Sequence, residues 1–154
     1  MKGIGFTSSD NLLSSAASDE NLRKAKDFGE YVEINQENMI SQNLSEHLMM
    51  LLDQKGLKRA DVVRDSGLEK AYVYQIFSGE KNPSRDKLIA VAFGLHLNEK
   101  ETQRMLKVGG YSELYPRIAR DAAILFSIQH GESIWETDKL LYSKGYPTLH
   151  DSDK

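Results

Sequence analysis

The chain has 154 residues, a length that permits one domain or one domain with an appendage and excludes a multidomain enzyme. Hydrophobic residues make up 40% and charged residues 28%, as in chains that bury a core. The net charge of −3 argues weakly against a nucleic-acid partner, and the absence of cysteine excludes disulfides, thiolate metal sites and a cysteine nucleophile. No apolar run approaches the roughly 18 residues of a membrane span, and the first ten residues do not resemble a signal peptide. We therefore expect a soluble, cytoplasmic protein.

The first 40 residues are predicted to form a solvated, mobile acidic arm, because they are rich in Ser, Asn and Glu and poor in apolar residues. A weakly helical stretch runs from about Asp19 to Phe28. The expected anchors are Phe28, Tyr31, Val32 and Ile34. The serines and the threonine among the first 18 residues are candidate phosphorylation sites.

Clear helical periodicity begins at Leu44, where leucines at i, i+4, i+7 and i+8 form one apolar stripe. Gly56 is expected to end this first helix. A short second helix fits residues 59–65 and buries Val62 and Val63. Both helices need a neighbour that covers their apolar face.

A third helix is predicted from about Glu69 to Ser78, with Val73 and Ile76 on its buried face. It follows a turn in which Gly67 is expected to adopt a positive φ, because glycine has no Cβ to clash there. The second and third helices therefore pack across each other through a tight turn.

A fourth helix is predicted to begin after Ser84, which is a good N-cap, and its apolar residues recur up to Leu95. Asn98 and Glu101 have the spacing of a capping box that begins a fifth helix. Gly109 is expected to end it.

Two more helices are predicted beyond the fifth. Pro116 suits the first turn of one of them, and Ser133 with Glu136 forms a capping box that begins the other, which ends near Gly145. One face of the sixth helix is predicted to carry Ile118, Ala122, Leu125 and Ile128. Surface ion pairs that contribute little are expected for Arg117, Arg120 and Asp121.

These two helices carry more apolar surface than they can bury between themselves. Either they enlarge the core or they form a two-fold dimer interface, and both alternatives stay open at this point. The residues concerned are Leu125, Phe126, Ile128, Trp135, Leu140 and Leu141.

The elements together predict an all-α protein without strands. The predicted divisions are an arm over residues 1–40, a five-helix domain over 41–110, a C-terminal helical extension over 111–149 and a tail over 150–154.

One stretch carries a functional motif, KGLKRADVVRDSGLEKAYVYQIFSGEKNPSRDKLIAVAFGL, from Lys55 to Leu95. It resembles the lambda-repressor-like, Xre-type helix-turn-helix family over about residues 44–108. The positions that carry the resemblance are Leu57, Val62, Gly67, Val73, Ile76, Gly79, Pro83, Ser84 and Leu88. The resemblance implies a lambda-repressor-like fold and binding of double-stranded DNA through a recognition helix in the major groove.

The resemblance also implies which side chains contact DNA. The recognition helix begins near Glu69, and its exposed side chains are expected to read bases, namely Lys70, Ala71, Tyr72, Tyr74 and Gln75. Phosphate contacts are expected from Lys58, Arg59, Lys81, Arg85 and Lys87. Residues 55–87 hold eight basic against five acidic side chains, so a polyanion is expected to bind there.

The resulting function is that of a sequence-specific DNA-binding transcriptional regulator, expected to be a homodimer and to bind no membrane. The alternative is a protein–protein interaction module on the same scaffold, which explains the acidic net charge better. A protein partner of the C-terminal helices is a further expectation. We expect no enzymatic activity, cofactor or metal, because the four histidines lack ligand spacing and no glycine-rich phosphate loop is present.

Overall fold

The computed structural model describes residues 19–34 and 43–150, and all regular structure within these two ranges is helical. The all-α prediction is therefore confirmed for the described residues. None of their helices is long and apolar enough to cross a bilayer. The chain divides into two compact units, Met1–Ser41 and Gln42–Lys154.

Two short helices lie in the first unit, α1 (Asp19–Lys24) and α2 (Phe28–Ile34), where one weakly helical stretch was expected. The stretch divides into two helices because the side chain of Asp27 caps the start of α2. Its Oδ1 accepts the N–H of Glu30 at 2.8 Å, which is the role of an N-cap side chain.

The expected anchors of the arm differ in burial. Tyr31 is buried and Val32 is half-buried, whereas Phe28 is 71% exposed. The prediction that Phe28 anchors the arm is therefore wrong, because most of its ring is open to solvent at the start of α2. The side chain of Ile34 and the candidate phosphorylation sites lie outside the described residues.

The described part of the second unit consists of helices joined by turns and by one longer connection over residues 109–118. They are α3 (Leu44–Gln54), α4 (Arg59–Ser66), α5 (Lys70–Ser78), α6 (Arg85–Gly94), α7 (Glu99–Val108), α8 (Ala119–Gln129) and α9 (Ile134–Ser143).

Side-chain caps fix where several of these helices begin. The Oγ of Ser84 accepts the N–H of Lys87 at 3.3 Å, as predicted. Reciprocal capping boxes are formed by Asn43 with Glu46, Asn98 with Glu101, and Ser133 with Glu136. The last two boxes were predicted and are confirmed, whereas the first is an addition. The start predicted for α8 near Pro116 is wrong, because Ile118 is still extended and the helix begins at Ala119.

The central helix of the second unit is α6, which packs against α4, α7 and α9. All residues from 88 to 94 are buried, as expected of a helix that is surrounded by others. Gly94 allows α4 to come close, because a Cβ there would lie 2.9 Å from both Cγ1 and the carbonyl oxygen of Val62.

The helices α8 and α9 extend the same core. Ile124, Leu125, Ile134 and Leu141 are buried, and α8 also packs against α7. These contacts support the alternative in which the extension enlarges the core. The inward orientation predicted for Ile118 is wrong, because this residue precedes the helix and is 52% exposed.

Two predicted surface ion pairs are in fact contacts between distant elements. Both nitrogens of the Arg120 guanidinium fork donate to the carboxylate of Asp86, at 3.0 and 3.1 Å. Asp121 is only 4% exposed and pairs with Arg85. The prediction was wrong for Arg120 and Asp121, because their partners lie on α6 and not on α8.

Candidate functional site

A turn of fixed geometry joins α4 to α5. Gly67 caps α4 with a φ of +72°, and its N–H donates to the carbonyl of Val63 at 3.3 Å. The N–H of Leu68 donates to Oγ of Ser66 at 3.2 Å, and the Leu68 side chain is buried beneath the turn. The direction in which α5 leaves α4 is therefore fixed by backbone contacts and by burial.

The inner face of α5 is anchored in the core. Val73, Ile76 and Phe77 are buried, and α5 packs against α3 and α4. At 100° per residue, the face opposite these three side chains is centred on Ala71. If the predicted base-reading residues act together, they should lie on this outer face.

The predicted base-reading residues fall into two groups. Ala71 is exposed and Tyr74 and Gln75 are half-buried on the outer face. Lys70, which is exposed, and Tyr72, which packs against the hydrophobic core, lie about 100° from Ala71 on its two sides. The outer face of α5 therefore brings together three of the five predicted residues, and Lys70 and Tyr72 lie at its edges.

A cation–aromatic cluster links α4 to this face. The guanidinium carbon of Arg59 lies 4.5 Å from the ring centroid of Tyr74, and Nζ of Lys70 lies 5.7 Å from it. Arg59 is the first residue of α4, whereas Lys70 and Tyr74 belong to α5. Two positive charges from different helices thus converge on one half-buried aromatic ring, at roughly 0.5–1 kcal/mol per contact.

Two further cations flank the cluster. Lys58 is the N-cap of α4, where its N–H donates to Oδ2 of Asp61 at 2.8 Å. The N–H of Lys81 donates to the carbonyl of Gln75 at 3.1 Å and so fixes the loop after α5. Within residues 43–150, no ion pair is formed by Lys58, Arg59, Lys70 or Lys81.

Arg85, predicted to contact phosphate, is bound inside the protein. Its guanidinium donates to the carboxylate of Asp121 at 3.1 and 3.3 Å. It also donates to the carbonyls of Ser112 at 3.1 Å and Glu113 at 3.0 Å. These contacts already use the guanidinium donors of Arg85 within the fold.

Lys87 is likewise used internally. Its Nζ donates to the carbonyl of His150 at 3.1 Å, and the residue is half-buried. Arg85 and Lys87 are therefore engaged within the fold, whereas Lys58, Arg59 and Lys81 form no ion pair within residues 43–150. Contacts of all five side chains with phosphate stay predictions.

The acidic residues near the turn are not all alike. Glu69 is the N-cap of α5, but its exposed side chain makes no capping hydrogen bond. Asp65, on α4, accepts from Arg64 at 2.9 Å and contacts the His96 ring at 2.8 Å. The hydrogen bond from Arg64, together with that from His96, lowers the pKa of Asp65 to about 2. The charge of Arg64 is therefore already balanced within α4.

Sequence reasoning missed one residue close to the site. The ring of His150 lies against the carbonyl of Ser66 at 2.9 Å and against Asp138 at 2.6 Å. No local pattern marks this contact, because Ser66 precedes His150 by 84 positions. Within the described ranges, no group of three or more His, Asp or Glu side chains is placed to hold a metal ion.

Comparisons of the chain with protein-family models, with curated proteins and with solved structures give no significant match.

Proposed function

We propose that the protein is a sequence-specific DNA-binding regulator in which α4 and α5 form a helix-turn-helix and α5 is the recognition helix. In this proposal α3–α7 form a lambda-repressor-like domain. The bases are read by Lys70, Ala71, Tyr74 and Gln75, and the flanking phosphates are contacted by Lys58, Arg59 and Lys81.

The packing of the helices supports this assignment. α5 packs against α3 and α4, and on its opposite side Ala71 and Ser78 are exposed while Tyr74 and Gln75 are half-buried. A recognition helix needs this combination of a fixed axis and a free face, because its side chains must reach base edges while its register on the duplex stays constant.

The observation that carries the proposal is the convergence of Arg59 and Lys70 on Tyr74. Neither cation has a carboxylate partner within residues 43–150, so both can neutralise phosphate and release counterions. The Tyr74 hydroxyl can donate to a phosphate oxygen from the same position.

The dimensions of α5 also suit a groove. An α-helix with its side chains is about 10–12 Å across, and the major groove is about 12 Å wide, so the nine-residue α5 can enter it. Arg59 and Lys70 mark one end of the helix and Lys81 follows the other. In the proposed complex these cations face the phosphates on the two sides of the groove.

The proposed active species is a homodimer. Two recognition helices about 34–36 Å apart reach successive major-groove faces of one duplex. The exposed apolar residues of α8 and α9 are the surface we assign to this contact, chiefly Phe126, Trp135 and Tyr142. Light scattering of the protein with and without its duplex measures the stoichiometry directly, and one copy per site contradicts the dimer.

The test of the function is binding to random and genomic duplexes at several salt concentrations. We expect Lys70→Ala with Gln75→Ala to lose about tenfold or more in preference for the selected sequence, because each base contact contributes roughly 1–3 kcal/mol of discrimination. Neither side chain belongs to the hydrophobic core, so circular dichroism should show that the variant folds as the parent protein does.

Matched variants separate phosphate contacts from general charge. Arg59→Ala is expected to weaken binding to all sequences and to reduce the slope of log K against log salt by about 1. Arg117→Ala is the control, because Arg117 is also exposed and also lacks an ion pair within residues 43–150. Equal slopes for the two variants would contradict a phosphate contact at Arg59.

The second candidate function is a protein-interaction module. It is favoured by the large aromatic side chains that α8 and α9 expose, since Trp135 is 53% and Tyr142 80% accessible. A partner bound through such side chains would be retained at high salt, whereas DNA would be released.

A further inference from the structure

A cavity lies where the turn between α6 and α7 meets the end of α8. It is lined by the last residues of α6 and the turn after them, by Thr102 on α7, and by Ile128 and Glu132 at the end of α8. Its volume is about 260 Å³, just below the roughly 300–1,000 Å³ of pockets that take drug-sized ligands. None of its lining residues is assigned above to DNA or to the dimer contact. The cavity therefore offers a separate site for a small molecule.

The end of α6 gives this cavity a fixed edge. The N–H of His96 donates to the carbonyl of Phe93 at 3.0 Å. The N–H of Leu97 donates to the carbonyl of Ala92, also at 3.0 Å. His96 has a φ of +56°, a left-handed conformation that glycine usually takes at the end of a helix, and its ring contacts Asp65 of α4 at 2.8 Å. The edge is therefore preformed, as in most small-molecule sites.

Much of the wall is apolar. Ala92, Phe93 and Leu97 are buried, and Ile128 is half-buried. Such a wall favours a ligand with an apolar body, because contact removes apolar surface from water on both sides. The face of the Phe93 ring also attracts a cation that comes within about 6 Å of its centroid.

Two polar groups of the wall can accept hydrogen bonds from a ligand. Glu132 is half-buried, and its carboxylate forms no ion pair or hydrogen bond with the residues that the structure describes. Thr102 is fully buried, and its Oγ1 donates to the carbonyl of Asn98 at 2.8 Å, so only lone pairs of this hydroxyl remain. These groups complement a ligand that donates hydrogen bonds.

The charge of the wall points in the same direction. Of the described residues that line the cavity, only Glu132 and His96 can carry a charge. A positive charge on His96 would already be balanced by Asp65, whereas the negative charge of Glu132 has no such partner. A cation in the cavity would balance Glu132, and an anion would be repelled by it.

We propose that this cavity binds a small organic cation, namely a protonated primary amine with a short apolar body. The ammonium group donates to the carboxylate of Glu132, and the body packs against Phe93, Leu97 and Ile128. No covalent bond forms or breaks. The site does not rest on the proposed function, because it shares no residue with the DNA surface.

The test compares two probes and two variants. The probes are 2-phenylethylammonium and 2-phenylethanol, which share the apolar body and differ in charge. Glu132→Gln removes the charge of the site and breaks no contact within the described residues. Glu80→Gln is the matched control, because Glu80 is exposed, forms no ion pair within residues 43–150 and does not line the cavity.

Proton–nitrogen correlation spectra at about pH 7, where the amine is protonated, measure the affinities and locate the site. We expect the amine to bind the parent with a dissociation constant of about 1 mM or tighter. The shifted amides should centre on residues 92–98, 102 and 128–132. The alcohol should bind the parent about tenfold or more weakly, because it cannot form the charged hydrogen bond.

The variants assign the preference to one carboxylate. Glu132→Gln should weaken amine binding by about tenfold or more and leave the affinity for the alcohol nearly unchanged, whereas Glu80→Gln should bind both probes as the parent does. Equal affinities of the parent for amine and alcohol would overturn the proposal, and this comparison needs no variant. The proposal would also be overturned by parent-like amine binding in Glu132→Gln, by shifts centred elsewhere, or by no binding at about 10 mM amine.

Discussion

Replacing Gly67 with alanine tests how closely the turn and the His150 ring are fitted together. Two separate penalties act at this position. The φ of +72° is unfavourable for any residue with a Cβ, at roughly 1–2 kcal/mol. The new methyl group would also lie 2.6 Å from Nε2 of His150, so the ring must move and give up its hydrogen bond to Ser66.

The loss of that bond adds about 0.5–1.5 kcal/mol. Gly67→Ala is therefore expected to lower the free energy of unfolding by about 1.5–3.5 kcal/mol in total. Gly56→Ala is the matched control, because Gly56 has a φ of +66° and nothing within 4 Å of its Cβ position. It should lose only about 1–2 kcal/mol. Any gain from the stiffer unfolded chain is common to both variants and cancels in the comparison.

Urea unfolding followed by circular dichroism measures both values. In a His150→Ala background, the penalty of Gly67→Ala should fall to that of Gly56→Ala, because no ring remains to be displaced. Equal losses for Gly67→Ala and Gly56→Ala in the parent background would refute the reasoning, since they would mean that the ring exerts no constraint on the turn.

Three further outcomes follow from the structure. Arg85→Ala should lower the free energy of unfolding by about 3–5 kcal/mol in urea titrations, because it leaves the carboxylate of Asp121 buried without its cation. A change below about 1 kcal/mol would contradict the role of Arg85 as the internal partner of Asp121. Gly94→Ala should lower the free energy of unfolding by about 1–3 kcal/mol in the same assay, because its methyl group would lie 2.9 Å from atoms of Val62 on α4. An unchanged free energy of unfolding would mean that α4 and α6 can move apart without cost. Burial, and to a lesser extent the nearby Arg104, lowers the pKa of His47, so the unfolded chain binds a proton that the native state does not. Stability should therefore fall as the pH drops below about 6.5, and His47→Gln should flatten that decline in thermal melts at stepped pH.

Much of the fold could be predicted because the signals are local. The capping box of Asn98 and Glu101 lies within four residues, and the turn at Gly67 needs only a glycine in the right place. Periodicity likewise located the buried face of α5, since Val73 and Ile76 repeat at helical spacing.

The functional surface could be predicted only in part, for a physical reason. A basic side chain on a helix gives the same sequence signal whether it meets solvent or a distant acceptor. Lys87 bonds a carbonyl 63 positions away, and Arg85 pairs with a carboxylate 36 positions away. Arg59 differs from them only in the tertiary structure, where it lies over Tyr74 and has no carboxylate partner in the second unit's described part.

The prediction that Ile118 is buried failed for a related reason. Its spacing to Leu125 fits a helix, but the chain is still extended at that position. Periodicity gives the face of a residue only where the backbone is helical, and the sequence carries no strong stop or start signal between Pro116 and Ala119.

The central position of α6 also determines how its amide hydrogens exchange with solvent. Residues 88–94 are buried on every side, and α4 and α9 both rest on them. Their amide hydrogens can reach solvent only when the whole unit opens, so their exchange rates measure the free energy of global unfolding. We expect the amides of the exposed α5 residues Lys70, Ala71 and Ser78 to exchange through smaller openings. Isotope exchange therefore separates a variant that loosens only the outer helix from one that weakens the entire second unit.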